Sequence, residues 1–177
     1  MTKPNFQSFP TLTTQRLNLR KITPLDLNVI FRLRSENSVL KYLNMPAAKN
    51  LKAAAVYIEM ISDGITKNQW ILWGIEQSSN RELTGTICLW NWNIANETAE
   101  IGFVLLPEYH NQGFISEATR SVLKFGFQSL GFQEIDGIVA LNNHPCIRVL
   151  NKFGFRKDEE FEGQDFIRFY LNKDLSV

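Results

Sequence analysis

Apolar residues recur along this chain with two periods, and each change of period marks an element. In "TQRLNLRKI" (14–22), Leu17, Leu19 and Ile22 alternate with polar partners, which predicts a half-buried strand. "TPLDLNVIFRLRSENSVLKYL" (23–43) predicts a helical segment, with Thr23 as N-cap and Pro24 at the first helical position. A second helix is expected over "LKAAAVYIEMISDGITK" (51–67), closing near Gly64. Three strands follow: "WILWGIE" (70–76), "LTGTICLWNWN" (83–93) and "AEIGFVLL" (99–106), parted by turn-forming "QSSNRE" and "NIANE" and ended by Pro107.

From about Ser116 to Leu130 the period is helical again. Glu117, Arg120, Ser121, Lys124 and Gln128 form a single polar stripe on an otherwise apolar or small surface, and Gly131 suits the C′ position. So wide an apolar arc fits a helix packed against a sheet. "EIDGIVALNN" (134–143) predicts a strand. "HPCIRVLNKF" (144–153) predicts a short helix with Pro145 near its start and Gly154 past its end, and "FIRFYLNK" (166–173) a closing strand. No repeat, linker or low-complexity tract interrupts the order, so one α/β or α+β layer structure is expected, a single domain over 1–177.

Composition narrows the function without naming it. The 177 residues are 44% hydrophobic and carry a formal charge of +1, which offers no electrostatic footprint for nucleic acid. Cys88 and Cys146 are too few for a disulfide framework, and His110 and His144 form no local metal motif, so no metal is expected. The N-terminal stretch has no apolar signal region and no 18 apolar residues run together, so the expected setting is a reducing cytoplasm away from membranes.

Chemistry is first visible in "EYHNQGFISEA" (108–118), a polar turn with one glycine before the long helix. A helix N-terminus leaves N–H groups without intrahelical partners and carries partial positive charge, and a turn that adds more N–H groups can cradle phosphate. The same residues could simply start a core helix. The turn is neither a P-loop nor a GxGxxG dinucleotide turn.

Read together, "EIGFVLLPEYHNQGFISEA", "TQRLNLR" and "NNHPCIRVLNKFGF" resemble the motifs of the GNAT (GCN5-related) N-acetyltransferases, and more narrowly the branch that acetylates ribosomal-protein N-termini. The resemblance spans about residues 14 to 172. It implies a mixed, mostly antiparallel central sheet with a splayed central strand, flanked by helices, and acetyl-CoA as acyl donor. The pyrophosphate of coenzyme A would meet backbone amides of His110, Asn111, Gln112, Gly113, Phe114, Ile115 and Ser116. The pantetheine arm would pair with Phe103, Val104 and Leu105, and Asn143 would face it, unless Asn143 only caps the following helix. The chain departs from the superfamily turn pattern twice. His110 stands where Arg or Gln is usual, and Ile115, where a small residue is usual, needs its side chain turned toward the core.

The implied reaction moves an acetyl group from a thioester to a primary amine by direct attack in a ternary complex. An amine attacks only when neutral, so a base helps, and Glu100 is the candidate. It could instead be a solvent-facing strand carboxylate. The superfamily's usual Tyr donor to the leaving thiolate is Leu150 here, and the Ser of the ribosomal branch is Cys146, which could donate a proton or be merely a small buried residue. Trp70, Trp73, Trp90 and Trp92 crowd the preceding strands, as core or as walls of an acceptor pocket, and alternation puts Trp90 and Trp92 on one face. The acceptor is expected to be a peptide N-terminus or a small amino compound, on a monomer or homodimer. The competing readings are a non-catalytic coenzyme A-binding module and an interaction protein whose turn binds nothing.

Overall fold

The computed structural model describes residues 4–43 and 45–175. Its frame is an eight-stranded sheet in the order β1-β2-β3-β4-β5-β6-β8-β7. The strands are β1 (Leu12–Thr13), β2 (Leu17–Arg20), β3 (Ile71–Gln77), β4 (Leu83–Asn93), β5 (Thr98–Leu105), β6 (Glu134–Ala140), β7 (Arg156–Lys157) and β8 (Phe166–Asn172). All neighbours are antiparallel except β5 and β6. The long strands fall within the apolar runs that the turn-forming stretches bound; the two-residue β1 and β7 are too short to leave a signal.

The stretch 23–43 is not one helix. A short 3-10 turn at Pro24–Asp26 leads into α1 (Leu27–Ser35), extended backbone at Glu36 interrupts it, and α2 (Asn37–Leu40) follows. Thr23 does begin the segment, donating its N–H (2.7 Å) and hydroxyl (3.1 Å) to the Asp26 carboxylate. The second helix, α3 (Leu51–Thr66), runs past Gly64. Gly64 is there for room: a Cβ at that position would lie 1.9 Å from the Trp70 ring.

Helix α4 (Phe114–Lys124) continues as a π-helical turn over Phe125–Leu130, ending at Gly131. Its buried face, including Ala118, Val122, Phe127 and Leu130, packs on the sheet in one continuous core with Leu17, Ile87, Leu89 and Ile135. Helix α5 (His144–Lys152) lies beyond β6 and buries Leu150. Among the described residues, no helix is long and apolar enough to cross a membrane.

The feature that positions the site is the parallel seam. Strands β5 and β6 pair only through Thr98↔Glu134, Ala99↔Ile135 and Glu100↔Asp136. Past that rung β6 pairs with β8 alone, while β5 keeps β4 on one edge and leaves the other open. The splayed central strand expected from the resemblance is therefore present, and it opens a cleft in the middle of the sheet.

Candidate active site

Two cavities flank this cleft. One, of about 530 Å³, lies against the turn 109–116 and the start of α5. The other, of about 610 Å³, runs back along β4 and β5 under α1 and α3. Tyr42, Leu43, Phe103, Val104, Asn143 and Cys146 line both, so the two meet beside the open edge of β5.

On the turn side the wall is largely backbone. Asn111 and Gly113 both take left-handed conformations, φ 60° and 81°. Two such residues in so short a turn bring successive N–H groups inward, and Gly113 meets no Cβ penalty in doing so. Among the described residues, the N–H groups from Asn111 through Ser116 have no hydrogen-bond partner, whereas Glu117 N–H already bonds Gly113 O at 3.0 Å. These free donors crown the N-terminus of an eleven-residue helix, a place suited to an anion.

His110 corrects the expected run of donors. Its N–H is spent on Pro107 O at 3.0 Å, and its ring Nε2 lies 3.1 Å from Leu105 O, to which it must donate. The run of free donors therefore starts at Asn111, and His110 pins the turn to the end of β5. Ile115 raises no difficulty, since its side chain packs against the core.

The turn is braced from behind by residues that the strand reading treated only as polar spacers. Glu117 accepts Thr14 Oγ1 at 2.6 Å, Arg16 N–H at 2.8 Å and Arg16 Nε at 2.7 Å. Arg16 Nη1 also reaches Gln112 O at 3.0 Å, and its guanidinium lies 4.9 Å from the centre of the Phe114 ring. The polar half of "TQRLNLR" thus ties β2 to the turn. Glu117, the one carboxylate in α4, was the signal for it. Arg148 and Lys152 of α5 also line this cavity, and nothing in the sequence singled them out.

The other cavity is built from side chains. Glu100 is 8% exposed, and burial together with the nearby Asp136 charge pushes its carboxyl up to about 7. Asn91 Nδ2 donates to Glu100 Oε2 at 3.4 Å, and Asp136 is held by Arg168 Nε at 2.7 Å. Glu100 is therefore a buried, tuned carboxylate on the cavity wall and not a solvent-facing strand residue.

A bulge shapes the same wall. Between Trp90↔Glu100 and Asn93↔Thr98 the register shifts, with Asn91 at φ 49°. The extra residue breaks the alternation that put Trp90 and Trp92 on one face. Trp90 lines the cavity at 44% exposure, whereas Trp92 packs edge-on against Phe6 and Phe132, with centroids 5.8 and 5.7 Å apart. Trp73 is core, and Trp70 donates to Ile61 O at 3.3 Å.

At the junction, Asn143 caps α5: its Oδ1 accepts from Cys146 N–H at 3.3 Å. The Cys146 thiol is pushed up to about 12 by burial, which makes it a weak acid. Leu150, 1% exposed, offers no proton. Phe103 and Val104 stand at the open strand edge, and Leu105 lines the turn-side cavity.

Comparison with known proteins adds to this geometry. A family model described as "Acetyltransferase (GNAT) domain" matches residues 16–156. The chain is 35% identical over 150 residues to "Uncharacterized N-acetyltransferase YoaA" of Bacillus subtilis (strain 168), covering 85% of each protein. Among solved structures, the acetyltransferase (GNAT family) from Bacillus anthracis matches with a TM-score of 0.81 at 22% identity, covering 93% of this chain and 99% of that one. The spermidine N-acetyltransferase from Vibrio cholerae in complex with CoA and spermine matches with a TM-score of 0.78 at 22% identity, covering 91% and 98%. At these identities the structural likenesses speak for the fold.

Proposed function

This chain belongs to the GNAT acetyltransferase family, and on that premise we propose that it transfers the acetyl group of acetyl-CoA directly to a primary amine, a peptide N-terminus or a small amino compound, held beside Glu100. It is an N-acetyltransferase, and acetyl-CoA is the acyl donor that the family uses. The observation that carries the proposal is Glu100, buried with its carboxyl near 7 in a cavity that joins the anion-suited turn.

In this reading the free N–H groups from Asn111 to Ser116 bind the pyrophosphate, and Arg148 and Lys152 lend positive charge on the same side. The open edge of β5 at Phe103 and Val104 orients the arm that carries the thioester. Glu100 accepts the proton of the attacking amine, directly or through water; a carboxyl near 7 is half ionised at neutral pH and basic enough to be useful. Backbone N–H near Val104 or Leu105 steadies the oxyanion. Cys146, with its thiol near 12, keeps a spatial role at the junction, and water protonates the departing thiolate.

The test is release of free thiol from acetyl-CoA across peptides, amino acids, polyamines and aminoglycosides, with thermal stabilisation by acetyl-CoA as a parallel readout. Turnover with at least one amine is expected. Stabilisation without turnover of any amine would favour a non-catalytic coenzyme A-binding module, the reading that fits a weakly acidic Cys146 and an apolar Leu150.

A further inference from the structure

Three arginines of this chain are partly withdrawn from solvent: Arg20, Arg34 and Arg168. Two of them are neutralised within the fold. Arg20 holds Asp26 through two bonds of 2.8 and 2.9 Å and also pairs with Glu76. Arg168 reaches Glu134, Asp136 and Asp158 at 2.6, 2.7 and 2.8 Å. Arg34 has no carboxylate among the described residues. Its Nη1 touches the Met45 thioether, its Nη2 donates to Pro46 O at 3.2 Å, and its Nε is buried without a partner. Its guanidinium lies over the Tyr57 ring, 4.6 Å from the centroid, which fixes its plane.

A half-buried cation with a thioether, one carbonyl and an aromatic face for company, and a buried Nε without a partner, is under-satisfied. Thioether sulfur is a weak acceptor, and a carboxylate matches the guanidinium fork far better. Arg34 lines the Glu100 cavity and does not line the turn-side cavity, so the missing anion belongs with the acceptor and not with the acyl donor. Among the described lining residues Glu100 is the one carboxylate and Arg34 the one cation. The rest of the wall is mostly apolar, with Trp90, Ile138, Phe166, Leu43 and Met45.

We propose that Arg34 receives a carboxylate of the acceptor, so that the substrate is a small amine that also carries a carboxylate on an apolar body, such as an apolar α-amino acid. This rests on the acetyltransferase reading above and deepens it. A polyamine would fit poorly, because its further ammonium groups would approach Arg34 and leave the guanidinium without an anion.

The test compares initial rates with phenylalanine and methionine, their carboxamides, phenethylamine and spermidine, on the wild type, Arg34→Met and Arg34→Lys. For the wild type, KM should be at least about tenfold lower for the amino acids than for the amines that lack a carboxylate. Arg34→Met should raise KM for the amino acids about tenfold or more while leaving the carboxamides within about threefold, and Arg34→Lys should recover part of the loss. Unchanged stabilisation by acetyl-CoA would establish that the variants are folded; if Arg34→Met is not, Arg34→Lys and the wild-type ratio of amino acid to amide decide. Equal turnover of amines with and without the carboxylate, or amino-acid kinetics indifferent to Arg34, would overturn this inference and leave the acetyltransferase reading standing. If acetyl-CoA binds and no amine is turned over, the catalytic reading falls. A failure of the amino acids to raise the melting temperature of the acetyl-CoA complex would then overturn the Arg34 assignment too.

Discussion

The two cavities that meet at Phe103 are made of different material. The turn side is mostly peptide backbone: N–H groups from Asn111 to Ser116 without a partner among the described residues, bent inward at Asn111 and Gly113 and held from behind by Arg16 and Glu117. The other side is mostly side chains: Glu100, Asn91, Arg34 and Trp90, placed by a bulge and by burial. A backbone site tolerates sequence change, because every residue but proline brings the same N–H group. A side-chain site does not, since its chemistry is that of the particular residues. The first therefore suits the donor shared by the family, and the second is where one acetyltransferase would differ from another.

The largest expected effect sharpens this division. Glu100→Gln should lower kcat/KM for a competent amine at neutral pH by roughly 10²-fold or more, in the range typical of a lost general base. Acetyl-CoA should still stabilise the variant as it does the wild type, because the turn is untouched. Equal rates for both proteins between about pH 6 and 9 would remove Glu100 from proton transfer. The converse variant, Gly113→Val, forces a β-branched residue to φ 81° and sets a Cβ 3.3 Å from Arg16 Nη2. It should weaken acetyl-CoA binding by about tenfold or more and cost on the order of 1–2 kcal/mol of stability. Calorimetric titration with acetyl-CoA measures the first quantity; unaltered affinity would break the picture of a backbone cradle.

The same division explains what was legible in the sequence. Apolar, β-branched and aromatic runs between turn-forming residues marked the long strands, β3 among them although it is buried on both faces. The polar stripe marked α4, because burial on one face of a helix leaves a periodic trace. The turn was recognisable from Gly113 and its neighbours despite the substitutions at His110 and Ile115, since backbone donors survive them. Three features left no such trace. The break at Glu36 splits a run whose apolar spacing stays helical across it. The bulge at Asn91 is one inserted residue, visible only against the partner strand, and it reversed the expectation for Trp90 and Trp92. The positions of Arg34 and Tyr57 depend on α1 packing against α3, which local pattern does not encode. Arg16 and Thr14 were in plain view within a recognised motif, but their partner Glu117 lies a hundred residues downstream.

A smaller effect tests whether the Glu100 wall is tuned by its neighbours. Asp136 faces Glu100 across the parallel rung, with Arg168 behind it and Asn91 on the other side. Burial is the main cause of the raised Glu100 carboxyl, Asp136 raises it further, and Asn91 and Arg168 oppose both. Asp136→Asn removes the repulsion and frees Arg168 to favour the carboxylate. The acid limb of the kcat/KM profile should therefore move to lower pH, by about half a unit or more. A limb that stays in place would mean that burial alone sets the value. Stability carries the same signature: the Glu100 carboxyl sits near 7 when folded against 4.5 as its ordinary value. Its favourable contribution is thus complete below about 4.5 and lost as pH rises through about 7. Glu100→Gln lacks that loss, so its melting temperature should gain on the wild type between about pH 5 and 8, by the equivalent of roughly 3 kcal/mol at most.

The smallest expected change lies at the junction itself. Cys146 touches both cavities, and its sulfur is where a donor to the leaving thiolate would be sought. A thiol pushed up to about 12 by burial holds its proton more tightly than an ordinary thiol near 8.5, so transfer to a departing thiolate of the ordinary kind runs uphill. Cys146→Ser keeps the size and the backbone N–H that Asn143 caps, and exchanges one poor acid for another. Turnover should stay within about threefold of the wild type or rise modestly, with KM for both substrates unchanged. A fall of a hundredfold, with acetyl-CoA affinity intact, would show instead that the thiol acts in the reaction. The line between a backbone half and a side-chain half would then have to be drawn through α5.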